Sequence, residues 1–175
     1  MEYTVLTVKQ PFASLIVEGI KDTENRTWKL PEKYKGQRVL IHASKAWNRE
    51  NAELCINNKI VNNALTELGI IHNYKVPDIG YRGYTFSGLD TGSIIGSVEI
   101  VDCVVNYVSV WAEKYIKCPF PTCEHCDELK HKCVYYNSRK VYNWVLANPI
   151  LFKEPIMNVK GKLGLWKFET DKILK

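Results

Sequence analysis

Gly19-Ile20-Lys21-Asp22-Thr23-Glu24-Asn25-Arg26 is the stretch on which the reading of this chain turns. Four charged side chains crowd into six residues just after an apolar segment. By charge alone such a stretch reads as a solvated turn, because Lys, Asp, Glu and Arg seldom sit inside. The same residue types also carry chemistry. Lys21 can offer an ammonium to a phosphate or a carbonyl. Glu24 can accept from an exocyclic amine or serve as a base. Arg26 can grip phosphate bidentately or orient Glu24. In an extended strand Lys21 and Glu24 would point to opposite faces, so they share a cleft only if the turn after Gly19 is irregular.

Working outward, Tyr3 to Val8 is β-rich and reads as a strand. Pro11 suits the first turn of a helix, and Phe12, Leu15 and Ile16 follow at helical spacing. Gly19 is a natural stop for that helix. Thr23 to Trp28 reads as extended, Leu30 to Gly36 as a charged turn around Pro31, and Arg38 to Ala43 as a buried strand. An apolar stripe at Ile56, Ile60, Ala64, Leu65 and Leu68 predicts a helix from Asn48 to Leu68, ended by Gly69. Residues 72–92, rich in Gly and Tyr, read as a long loop. Ser93 to Val105 is the strongest strand. Arg139 to Ala147 reads as a helix. Ile150 to Val159 and Leu163 to Glu169 read as closing strands. The alternation predicts one α+β domain, residues 1–175, on a mixed or barrel-like sheet.

Bulk properties agree with a globular chain. Of 175 residues, 46% are hydrophobic and 25% charged, ordinary values for a single soluble domain. No apolar run reaches the length of about 20 residues that a spanning helix needs. The first residues lack the basic and apolar regions of a signal peptide, so the expected location is cytoplasmic with no membrane partner. A formal net charge of +5 and a pI of 8.8 permit an anionic partner without requiring one.

Four segments in order carry a resemblance. They are Val8-Lys9-Gln10-Pro11-Phe12-Ala13-Ser14-Leu15-Ile16, then the opening stretch read as G-x-K-x-x-E-x-R, then Leu40-Ile41-His42-Ala43-Ser44-Lys45, and last Trp144-Val145-Leu146 with Gly161-Lys162-Leu163-Gly164-Leu165-Trp166. Together they resemble the ASCH family across nearly the whole chain. The resemblance implies a PUA-like mixed β-barrel flanked by helices, with a cleft lined by the signature Lys and Glu. It implies RNA binding as the common use. Some small bacterial members resemble amidohydrolases acting on acylated cytidine nucleosides, and some relatives are described as ribonucleases. In the hydrolase-like members a Thr stands where this chain has Glu24, a departure that puts their mechanism in doubt here.

Other residues complete the candidate site. Glu99 lies in the most apolar strand, among Ile95, Ser97, Val101 and Cys103, where a charge needs a partner or an altered pKa. The resemblance puts it facing Lys21, the two carrying acid–base work if the chain is an enzyme. His42 reads as a core or rim histidine. Ser44 and Lys45 are expected phosphate contacts. Trp28 and Trp47 can stack on a base, while Trp144 and Trp166 read as core. Arg82, between Tyr81 and Tyr84, fits contact with a single strand, although an ordinary loop explains it too.

Cys118, Cys123, Cys126 and Cys133 cluster within residues 117–134, and their Cys-x-x-Cys core predicts a structural Zn2+ site with His131 as substitute ligand. The alternative is free or redox-active thiols. Cys55 and Cys103 read as core. Three functions therefore stand: a module binding RNA or a modified nucleotide through Lys21, Glu24, Arg26, Trp28, Ser44, Lys45 and Arg82; an amidohydrolase or ribonuclease in the same cleft; and a zinc-stabilised protein-interaction domain. The oligomeric state is open.

Overall fold

The computed structural model describes residues 1–45, 57–73, 84–86, 89–115 and 140–171. The chain separates into two compact units. The first comprises Met1–Lys21, Arg38–Glu99 and Asn148–Lys175, and the second Asp22–Gln37 and Ile100–Ala147.

In the first unit, strand β1 (Glu2–Val8) is flanked on both sides. It runs parallel to β3 (Gln37–Ala43), with Val5 opposite Leu40 and Val8 opposite Ala43. It runs antiparallel to β8 (Leu165–Glu169), with Glu2 opposite Glu169 and Leu6 opposite Leu165. Beyond β3 lie β6 (Ser93–Val104) and then β7 (Tyr142–Ile156), so the strand order is β7-β6-β3-β1-β8. The sheet is thus mixed. Strands covered on both faces lose the apolar–polar alternation, which is why β3 ends in five consecutive buried residues.

The parallel link from β1 to β3 passes through helix α1 (Phe12–Val17), which buries Ala13, Leu15, Ile16 and Val17. Its start is tied by Gln10, a fully buried side chain. The Gln10 amide donates to the Asp90 carbonyl at 2.7 Å and its oxygen accepts from the Ser14 N–H at 3.1 Å. Gly19 ends the helical run with φ +77°, a conformation that glycine adopts without strain. Val5, Leu6, Leu15, Val39, Ile41 and Ile94 are fully enclosed. Each such side chain contributes about 1.5–3 kcal/mol relative to exposure.

Helix α2 (Lys59–Glu67) buries Val61, Ala64 and Leu65. Of the helix expected from Asn48 to Leu68, residues 48–56 lie outside the described residues, and Asn58 is extended and accepts from the N–H groups of Ile60 and Val61. An Asn in that role begins a helix rather than continuing one. Of the segment read as a loop from 72 to 92, residues 74–83 and 87–88 lie outside the described residues; β4 (Ile71–Asn73) reaches into it and pairs antiparallel with β5 (Tyr84–Phe86). Three residues are too few to show a period, so only backbone pairing reveals them.

In the second unit, β2 (Thr23–Arg26) pairs antiparallel with the first half of β7, Glu24 opposite Trp144 and Arg26 opposite Tyr142. The helix expected over Arg139 to Ala147 is therefore strand from Tyr142 onward. Asn143, Trp144, Val145 and Leu146 are all buried, and a continuous buried run imitates helical spacing in sequence. A 3-10 turn, Glu32–Tyr34, follows Pro31. Asn25 buckles the unit together: it donates to the Trp111 carbonyl and accepts from the Glu113 N–H and the Asn143 amide. Cys103 is a half-buried free thiol whose sulfur accepts from the Leu30 N–H. Among the described residues, no helix is long and apolar enough to cross a membrane.

Candidate functional site

A polar site lies at the end of β3. Three backbone segments are stitched there. The Gly92 N–H donates to the Ala43 carbonyl at 2.7 Å, and the Val159 N–H donates to the Gly92 carbonyl at 2.9 Å. The His42 ring reaches the Val159 carbonyl at 3.1 Å. Gly92 holds φ +62°, and the aliphatic stem of Lys45 crosses its open side so closely that any β-carbon would collide with it. The stem is thereby aimed along the cavity wall. Ser44, Lys45, Lys160 and Lys162, with Thr7, His42, Asn158 and Leu163, line a cavity of about 570 Å³. That volume falls within the range of small-ligand sites. Three lysines and no acidic residue line it, which favours an anion.

His42 is 2% exposed. Val159 offers only a carbonyl oxygen, so Nε2 carries the proton and Nδ1 is a bare acceptor. Among the described residues nothing donates to Nδ1. Burial disfavours the imidazolium and holds its pKa below the ordinary 6.5, while the Val159 bond offsets part of the effect. The unfolded chain takes up a proton near 6.5 and the folded chain resists it. Stability should therefore fall as pH drops below about 6.5 and be flat above it. Urea unfolding at pH 7.5 and 5.5 measures this, and the drop should shrink in His42→Gln. Equal midpoints in the wild type would show that His42 is not held neutral.

Glu99 sits on β6 with both oxygens engaged. Arg38 donates to Oε1 at 2.9 Å and the Asn148 amide to Oε2 at 2.8 Å. Arg38 also donates to Ser97 and to the Asn148 carbonyl. The Asn148 bond first, then Arg38, holds the Glu99 carboxyl below its ordinary range. Arg38 comes from the neighbouring strand β3. Lys21 is 4% exposed, its ammonium 5.6 Å from the centre of the Phe12 ring and its N–H donating to the Leu15 carbonyl. It is not the solvated residue that charge alone implies.

In the second unit, Arg26 and Glu24 form an ion pair at 3.1 Å. They lie two residues apart on β2, hence on one face. Trp28 packs edge-to-face on Trp144 with centroids 4.6 Å apart and keeps 36% of its surface exposed. Asp22 accepts from Thr23 and Ser109.

The structure thus gathers Ser44 and Lys45 with His42, and pairs Glu24 with Arg26. Lys160 and Lys162 were missed by sequence reasoning. Their signal is the alternation Val159-Lys160-Gly161-Lys162-Leu163, basic residues either side of a glycine. Arg82, Trp47, Cys55, the four clustered cysteines and His131 lie outside the described residues. Among the described residues no cluster of His, Cys, Asp and Glu could hold a metal ion.

The crystal structure of ASCH from Zymomonas mobilis is 15% identical, with a TM-score of 0.48, and the alignment covers 96% of this chain and 88% of that one. Two single-residue mutants of the same protein are each 14% identical with TM-scores of 0.47, covering 95% of this chain and 87% and 89% of theirs. No curated protein matches the sequence. The family model for the ASCH domain matches residues 6–156. With most of its length so matched, the chain belongs to the ASCH domain family.

Proposed function

We propose that this chain is a nucleic-acid-binding module, built on a PUA-like barrel, that grips RNA phosphate at the cavity beyond β3. The observation that carries the reading is the convergence of Lys45, Lys160 and Lys162 with Ser44 on one cavity. Lysine ammonium groups neutralise phosphate as point charges, and the hydroxyl adds a donor. Two of those residues, Ser44 and Lys45, are the phosphate contacts expected from sequence. Lys160 and Lys162 replace Lys21 and Arg26 in that role, because Lys21 is buried and Arg26 holds Glu24.

Binding is favoured over catalysis by the state of the carboxylates. A general acid or base works best with a pKa near the operating pH. Glu99 is pushed the other way, and both of its oxygens already accept hydrogen bonds. Glu24 is held by Arg26.

Single-stranded RNA should bind with a strong salt dependence. Replacing Lys45, Lys160 and Lys162 by alanine should weaken binding at least about tenfold at low salt. It should also make the slope of log affinity against log salt shallower by about 0.7 per lysine. Fluorescence anisotropy across a salt series reads both. An unchanged slope in the triple variant would mean that RNA, if bound, is bound elsewhere.

A further inference from the structure

A track for phosphate needs only a basic surface. The cavity beyond β3 has more than that, and the excess describes its occupant. Its volume of about 570 Å³ is far larger than one phosphate requires. Beneath Gly161 lies the Nδ1 of His42, a buried acceptor with no donor among the described residues. An acceptor left unmatched inside a protein is costly, so a ligand that brings a donor to it gains by doing so. Gly161 covers that edge without a side chain. A β-carbon there would come within 2.3 Å of the ring carbon Cε1 and 2.7 Å of Nδ1. Its backbone φ is not in the left-handed region, so the glycine is required by space rather than by conformation. At the mouth, Leu163 is 98% exposed, an apolar side chain that a flat ring would cover.

We propose that the cavity takes one nucleoside monophosphate unit, with its phosphate among Lys45, Lys160 and Lys162 and an N–H of its base donating to His42 Nδ1. The exposed 160–162 segment lifts from the ring to admit the base edge, and Leu163 lies against the base. The inference rests on the RNA reading above and narrows it. The unit recognised is a single unstacked nucleotide carrying phosphate, either free or at the 5′ end of a strand.

The experiment uses the full chain and four probes: AMP, CMP, GMP and UMP, titrated beside ribose 5-phosphate and inorganic phosphate. At least one nucleotide should bind about tenfold or more tightly than ribose 5-phosphate, the increment expected for a satisfied buried acceptor. On its addition the imidazole ¹⁵N resonance of His42 Nδ1 should move from the position of a bare nitrogen to that of a hydrogen-bonded one. In Gly161→Ala the advantage over inorganic phosphate should collapse, while phosphate binding by the lysines persists. Comparing a 5′-phosphorylated oligonucleotide with its unphosphorylated twin separates a strand end from a free nucleotide.

Equal binding of ribose 5-phosphate would place the donor on the sugar and overturn the inference. So would nucleotide binding that leaves the Nδ1 resonance where it was. RNA binding sensitive to the three lysines, with no mononucleotide binding at all, would overturn this inference and leave the RNA reading standing. Absence of both would remove the two together. Should Gly161→Ala fail to fold, the ¹⁵N measurement on the wild type still decides.

Discussion

Trp144→Ala should cost about 3–5 kcal/mol of stability, the range for emptying a fully enclosed aromatic site. Trp144 is the largest fully buried side chain among the described residues. It stands opposite Glu24 in the β2–β7 register, and its ring meets the edge of Trp28. Deletion would remove the apolar burial, leave a cavity between β7 and Trp28, and forfeit the ring contact, itself about 0.5–1.5 kcal/mol. For a chain of this size each kcal/mol lowers Tm by about 2–4 °C, so a fall of roughly 10 °C is expected. Trp144→Phe should be far milder. The indole Nε1 is buried and has no partner among the described residues, so phenylalanine removes an unmatched donor while keeping most of the volume. Calorimetry on the two variants decides. A loss below about 1 kcal/mol for the alanine variant would mean that the site collapses around the gap or is not packed as described.

Gly96→Ala should destabilise by about 3 kcal/mol, although propensity points the other way. Glycine in a strand interior is ordinarily about 0.5–1 kcal/mol worse than alanine. At Gly96 an added β-carbon would sit 2.3 Å from the carbonyl oxygen of Ile150 and 2.7 Å from Cγ1 of Val17. One obstacle is backbone in β7 and the other is the inner face of α1, so neither can swing aside. Overpacking of this kind ordinarily costs about 1–3 kcal/mol, and the backbone contact puts this case at the upper end. Urea unfolding gives the sign directly. A neutral or stabilised alanine variant would show that α1 and β7 do not close on β6 at this point.

Much of the first unit was legible in sequence because its strands and α1 are long and strongly patterned. Tyr3 to Val8, Arg38 to Ala43 and Ser93 to Val105 all lie in or along strands. Gly19 ends α1 as its type predicts. Arg139 to Ala147 was not legible, because burial on both faces from Asn143 to Leu146 erases the alternation that marks a strand. The helix start at Asn58 was hidden for a different reason. An Asn within an apolar repeat looks tolerable until its side chain is seen capping the next turn.

The site divides in the same way. Glu99 advertised its need for a partner by lying in an apolar strand, but the identity of that partner depends on which strand lies alongside. Arg38 is 61 residues away in sequence. The bond from His42 to Val159 spans 117 residues, so no local pattern could place the 158–163 segment over His42. Lys160 and Lys162 look like ordinary solvated lysines until that contact is known. The resemblance drew the eye to Lys21 and Glu24, and their surroundings gave the first a buried position and the second an arginine.

The first unit is assembled from three stretches of chain, and β1, which lies between β3 and β8, waits longest for its second neighbour. Synthesis runs from the N-terminus at about 5–20 residues per second, so β8 emerges on the order of 10 s after β3. During that interval the nascent chain can pair β1 with β3 but must leave the other edge of β1 open. The edge carries Val5 and Leu6, which end fully buried. Such an edge is a template for pairing with another chain. The sheet order therefore sets a period of vulnerability during translation, one that slower elongation between β3 and β8 would prolong.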